Sequence, residues 1–241
     1  MQNVIKNKEA KTHFNWFVPI PASPGLERFR VRPNSQLYYY SLPLTLNTPS
    51  HAVINLALIS SQQYHPQDAL PITIGAVLPD APIFILYFWA KLVRRQTEHQ
   101  IWSQTYELPF WQNLVATFHS IPLALIFILI AHYWGWQQGE LLCLSMVFHS
   151  LLDLPVHHDD AHRHFFPFNN YRFISPLSYW DPKHHGNAVS LVEKLMVLGA
   201  TFYVFPELNS AVGKGLLIAV NLFYLGTLIY FRIIRPKIIL N

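Results

Sequence analysis

Charge is scarce in this chain: Asp, Glu, Lys and Arg make up 12% of its 241 residues, about half the share found in ordinary soluble domains. That shortage argues against a water-exposed globule. Combined with several long apolar runs, it favours one helical bundle whose outside faces lipid. Cysteine is almost absent. With Cys143 alone, an intrachain disulfide and a thiolate metal cluster are both excluded, so any metal must be held by nitrogen and oxygen donors. Concentrated positive charge is missing too. The 17 Lys and Arg fall in small groups beside apolar segments, which speaks against nucleic acid as a partner and reads instead as topology signals. Residues 1–45 carry Lys6, Lys8, Lys11, Arg28, Arg30 and Arg32 among scattered prolines and lack the continuous apolar core of a signal peptide. They are expected to form a basic, poorly ordered tail ahead of a single helical membrane domain, 46–241. No internal repeat is visible.

What the chain does have is a series of apolar runs. "TPSHAVINLALIS" begins the first helix, with Thr48 placed as an N-cap, Pro49 at the first helical position and an apolar run to Ile59. Residues 69–95 are long enough to cross about 30 Å of hydrocarbon, but Pro79 and Asp80 near the middle predict a break. Residues 111–136 and 139–156 predict two helices joined by a tight Gly-containing turn, an antiparallel hairpin. After a polar, aromatic and Pro-rich stretch at 157–190, residues 191–208 and 215–231 supply two more. The expected fold class is therefore all-α, a polytopic membrane bundle of about six helices with a His/Asp-rich cytoplasmic loop.

Lys and Arg accumulate on the cytoplasmic side of short loops. Six alternating spans put the basic tail, "KLVRR" (91–95) and "RIIRPK" (232–237) all inside. This predicts an integral protein of a bacterial-type inner membrane, with both termini and the 157–190 loop cytoplasmic. It also brings His51, His119, His149 and Asp153 to one depth.

Seven of the 13 histidines (149, 157, 158, 162, 164, 184, 185) and four of the six aspartates (153, 159, 160, 181) fall within residues 149–185. His149 and Asp153 are spaced i, i+4, so on a helix they share a face and can offer an imidazole and a carboxylate to one ion. Ionisable groups within a span are costly and are functional candidates. Neutral imidazole with carboxylate suits zinc, manganese or iron, and a carboxylate such as Asp153 could bridge two ions. Two ions about 3.5–4 Å apart are a common device for phosphoester hydrolysis. In the loop, His157, His158, Asp159, Asp160, His162, His164, Asp181, His184 and His185 are candidates to orient the ligands or to add to them.

Purely structural readings compete at each position. Asp80 could cap the second half of a broken helix, His51 could be a polar first-turn residue at the interface, and His119 could bond a neighbouring carbonyl. His149 with Asp153 could be a buried polar pair, and "HHDDAHRH" (157–164) a solvated loop.

The ordered set TPSH (48–51), GAVLPD (75–80), FHS (118–120) and HSLLD (149–153) resembles the YdjM-like family of predicted membrane-bound metal-dependent hydrolases, over residues 48 to 190. The order His, Asp, His, then His-x-x-x-Asp is also distantly similar to the zinc-dependent phospholipase C and P1-nuclease superfamily. The resemblance implies the ligand set His51, Asp80, His119, His149 and Asp153, holding one or two divalent ions. One departure stands out: the family's frequent Pro-Asp-x-Asp is "PDAP" here, without the second carboxylate.

The leading expectation is thus a hydrolase using metal-activated water on a phosphoester, plausibly of a lipid headgroup. A di-iron lipid oxygenase is the second reading, on "HDDAH" (158–162) and "DPKHH" (181–185), although it leaves His51, Asp80 and His119 without a role. A third is an ion transporter or assembly protein, for which six helices without repeat symmetry are a poor frame.

Overall fold

Apolar runs become helices throughout: every regular element among residues 47–59, 68–209 and 211–230, which the computed structural model describes, is helical. The basic tail at 1–45 and the C-terminal "RIIRPK" lie outside the described residues. The helices are α1 (Asn47–Ile59), α2 (Ala69–Val77), α3 (Ala81–Phe88), α4 (Glu98–Gln100), α5 (Pro109–Phe118), α6 (Ile121–Tyr133), α7 (Gln137–Asp153), α8 (Gly186–Val204) and α9 (Ala211–Ile229).

Proline shapes two elements, one as the sequence predicts and one against it. The break expected at Pro79 and Asp80 is there but lasts only one turn. A single 3-10 turn, Leu78–Asp80, carries the chain from α2 into α3, and Ala69–Val93 remains one apolar stretch of 25 residues. Conversely, the helix expected over 111–136 is two helices bent by 48°. Pro122 has no N–H to offer the carbonyl four residues back. The chain instead leaves the helix at His119 and restarts, with the Ser120 hydroxyl accepting from the Leu123 amide (3.2 Å) as an N-cap. Thr48, expected as a cap, lies inside α1.

Among the described residues three helices are long and apolar enough to cross a membrane: Ala69–Val93, Gly186–Val204 and Ala211–Ile229. Counting the bent α5–α6 pair as one span makes four, against the about six expected. At 13 residues α1 is too short to span by itself. Its Val53, Ile54 and Leu56 instead pack against Ile72 of α2, Val197 and Val204 of α8 and Leu217 of α9. The outward faces carry exposed Phe127, Leu129, Leu195, Phe202, Val212 and Leu222, the inverse of a water-facing surface and consistent with membrane association.

α7 is the scaffold of the site, packed against α1, α2 and α6. Gly75 lets α2 approach it so closely that a Cβ there would lie 2.1 Å from the Leu142 carbonyl oxygen. One turn on, Ser145 Oγ donates to the Ile72 carbonyl (2.6 Å), and Asn55 of α1 donates to the Ser145 carbonyl and hydroxyl (2.8 and 2.9 Å). These buried bonds set the register of three helices just below the histidines.

Candidate metal centre

Each side chain of the site comes from a different local device. His51 sits in the early turns of α1, and Asp80 closes the 3-10 turn between α2 and α3. His119 is the residue at which α5 ends, so the bend itself frees it from the helix, and His149 and Asp153 stand one turn apart at the end of α7. The loop after α7 returns His157 and His162. All of these are buried except Asp80, which is partly so.

The carboxylates occupy the middle. Asp153 Oδ1 lies 3.0 Å from His51 Nε2 and 3.4 Å from His157 Nε2, while its Oδ2 lies 3.1 Å from His149 Nε2 and 3.6 Å from His119 Nε2. Asp80 Oδ1 is 3.6 Å from His119 Nε2 and 3.7 Å from His149 Nε2. Three donor groups result, each with its ligand atoms within 4.8 Å of one another: His51, His149, Asp153; Asp80, His119, His149; and His119, Asp153, His162. All five residues implied by the family resemblance fall in these groups, and His162 joins them.

The orientation of two rings is set from behind. His119 Nδ1 faces the Val115 carbonyl at 2.9 Å and His149 Nδ1 faces the Ala76 carbonyl at 2.7 Å. A carbonyl only accepts, so each Nδ1 carries a hydrogen, and in the neutral ring that ligation requires Nε2 then holds the lone pair. Both Nε2 atoms are buried without a hydrogen-bond partner, aimed at carboxylate oxygens that are also electron-rich. Buried lone pairs of like character facing each other at 3–4 Å are costly unless a proton or a metal cation lies between them. Backbone-anchored Nδ1 with a free Nε2 is the arrangement of metal-ligating histidine. The residues present therefore fit a divalent cation held by nitrogen and oxygen.

The purely structural readings can now be weighed. Asp80 makes no side-chain cap to α3, and accepts instead from the Thr48 hydroxyl. His119 does bond a neighbouring carbonyl, but through the nitrogen opposite the one that faces the carboxylates. Thr48 and the serines were missed as positioning residues by the sequence reading. Ser150 Oγ holds the His119 carbonyl (3.0 Å) and Ser120 Oγ holds the Phe166 carbonyl, pinning the loop onto the bend. The spacing of Thr48 and His51, i and i+3, was the available signal that both point to one place.

In the loop the structure sorts the candidates. Burial and the neighbouring His119 hold His162 well below the ordinary imidazole range, and burial chiefly brings His164 down to about 4. Both stay neutral near pH 7. His157 goes the other way: burial opposes its charge, but the carboxylates of Asp160 (3.0 Å) and Asp153 outweigh it and push the imidazole well up. Asp160 also accepts from Trp180 Nε1 at 3.3 Å. The remaining candidates are placed elsewhere. The His158 and His184 rings stack at 3.6 Å, Asp159 is exposed, Asp181 caps the turn at Pro182–His184, and His185 is an exposed residue in left-handed backbone at φ 62. Among the described residues, none of these five enters a donor group.

Compared with known protein families, curated proteins and solved structures, the chain matches none.

Proposed function

We propose that this protein is a membrane-embedded, divalent-metal-dependent hydrolase of phosphoesters, with its centre in the cytoplasmic half of the membrane and both termini inside. The observation that carries the reading is the convergence of the buried Nε2 atoms of His119 and His149 on the carboxylates of Asp80 and Asp153, at 3.1 to 3.7 Å. His51, Asp80, His119, His149, Asp153 and His162 are the residues that would hold the metal, zinc before manganese or iron. A divalent cation supplies Lewis-acid polarisation there and lowers the pKa of water.

The chain's own residues do the rest. Asp153 presents one oxygen to His51 and His157 and the other to His119 and His149, which suits a carboxylate shared by two ions. Hydrolysis adds water across a P–O ester bond: the hydroxyl goes to phosphorus and a proton to the departing alcohol. His157, kept charged by Asp160, is the proton donor for that oxygen. Exposed aromatics of the 165–174 segment, among them Phe168 and Tyr171, support a site at headgroup level, where such rings are enriched.

The test is to purify the chain at neutral pH, measure bound metal by elemental analysis, and assay phospholipid and generic phosphoester cleavage. Stoichiometric metal with cleavage is expected. A wild-type protein without metal sinks the reading. The oxygenase alternative is separated by His119→Ala, which removes metal from a hydrolase of this design and leaves iron loading untouched in an oxygenase built on the 158–162 and 181–185 segments.

A further inference from the structure

Two guanidinium groups line one depression with His162, and among the described residues neither has a carboxylate partner. Arg163 donates to the Gln112 carbonyl (2.7 Å), Asn113 Oδ1 (2.8 Å) and Asn170 Oδ1 (3.0 Å). Arg172 donates to the Ala161 carbonyl (3.0 Å) and Gln112 Oε1 (2.8 Å). All of these acceptors are neutral. The two cations share Gln112, and partial burial together with the nearby Arg172 disfavours the charge of Arg163.

Both line one depression together with Gln112, Val115, Ala116 and His162. His162 belongs to the donor group with His119 and Asp153, so the two arginines share this shallow depression with one residue of the candidate metal centre, and Arg163 lies over the Phe166 ring at 4.9 Å. Each guanidinium has five N–H donors in a planar fork, and the bonds above leave some of them unspent. Like charges held together at a cost, with donors to spare, suit an anion with several acceptor oxygens. The fork geometry matches phosphate two bonds at a time. The same loop exposes Phe165, Phe168, Phe173 and Ile174, side chains suited to an interface at the level of lipid phosphates.

We propose that Arg163 and Arg172 form a phosphate-recognising subsite of this centre, taking the phosphate group of a lipid headgroup or of a soluble ester. The purpose of the subsite rests on the hydrolase reading, but its test does not, because phosphate binding is measured without turnover.

The full chain in detergent is dialysed to equilibrium against radiolabelled inorganic phosphate, glycerol phosphate and dioctanoyl phosphatidate, with bound metal measured for every variant. Wild type binds phosphate. Arg163→Gln with Arg172→Gln weakens binding by about tenfold or more, the size of lost charge-assisted hydrogen bonds, and keeps its metal. Because these arginines also tie the loop to α5, a second variant guards the test: Asn170→Asp keeps the hydrogen bond and its shape while pairing the Arg163 charge, and weakens binding about two- to fivefold. If the double variant does not fold, Asn170→Asp decides. Phosphatidate binding tighter than inorganic phosphate supports the subsite with a lipid source, and equal binding supports it with a soluble one. Wild-type affinity in the folded variants, or no phosphate binding by the metal-loaded wild type, overturns the subsite and leaves the hydrolase standing. Arginine-dependent binding in a wild type without metal supports the subsite and removes the hydrolase.

Discussion

Asp153 divides its carboxylate between two helices: Oδ1 lies 3.0 Å from His51 Nε2 of α1, and Oδ2 lies 3.1 Å from His149 Nε2 of its own helix. Side chains 102 positions apart in sequence, 51 and 153, thus meet on one group. The consequences for metal, catalysis and stability follow from that meeting.

Asp153→Asn keeps the volume and removes the charge. Losing a partner that merely orients a ligand typically lowers metal affinity by about 10–100-fold, and losing the carboxylate that faces both imidazole sets is expected to cost more. Elemental analysis after dialysis reads this directly, and wild-type metal content in Asp153→Asn would remove Asp153 from the ligand set.

Chelation is expected to lower the melting temperature, and metal to restore it. A ligand at about a hundred times its Kd stabilises the folded state by roughly 2.7 kcal/mol. Thermal unfolding in detergent with and without chelator checks this, and coincident curves would contradict it.

Metal affinity should fall as pH falls. Ligand imidazoles must be neutral, so below the ordinary imidazole pKa of about 6.5 protons compete with the cation. Metal content measured between pH 5 and pH 8 is expected to rise with pH; a flat profile would speak for carboxylate ligands alone.

Asp160→Asn removes one of the two carboxylates that keep His157 charged. If His157 donates the proton to the leaving oxygen, kcat falls by about 100-fold, while bound metal is unchanged. Equal losses of metal and activity would instead make His157 a ligand.

Gly75→Ala drives a methyl group into the α7 backbone at Leu142 and is expected to destabilise by about 3 kcal/mol, the upper end for overpacking. It also shifts Ala76, whose carbonyl anchors His149, so metal affinity should fall with stability. Denaturation and metal content measured on the same sample test both.

Much of the candidate site could be read before any coordinates. Imidazole and carboxylate are expensive in an apolar segment, so His51, Asp80, His119, His149 and Asp153 stood out against their neighbours, and the i, i+4 spacing of His149 and Asp153 survives folding because α7 is regular there. Choosing among the loop histidines was not possible in the same way. His162 and His158 have similar sequence surroundings, yet the hydrogen bonds of Ser120 and Ile121 to the Phe166 and His164 carbonyls turn one inward, while the other stacks on His184. Nothing in the sequence pairs Arg163 with Arg172; the fold does, by giving both the same acceptor residue, Gln112.

By itself the sequence determined that the chain is helical, apolar on its outside and able to hold a metal only through nitrogen and oxygen, because these depend on composition and local periodicity. Tertiary structure decided the rest. The bend at His119, the confinement of the Pro79 break to one turn, the number of membrane-length helices among the described residues and the gathering of four separate elements on Asp153 all depend on which backbone groups find partners across the bundle, and no local pattern encodes contacts between residues a hundred positions apart.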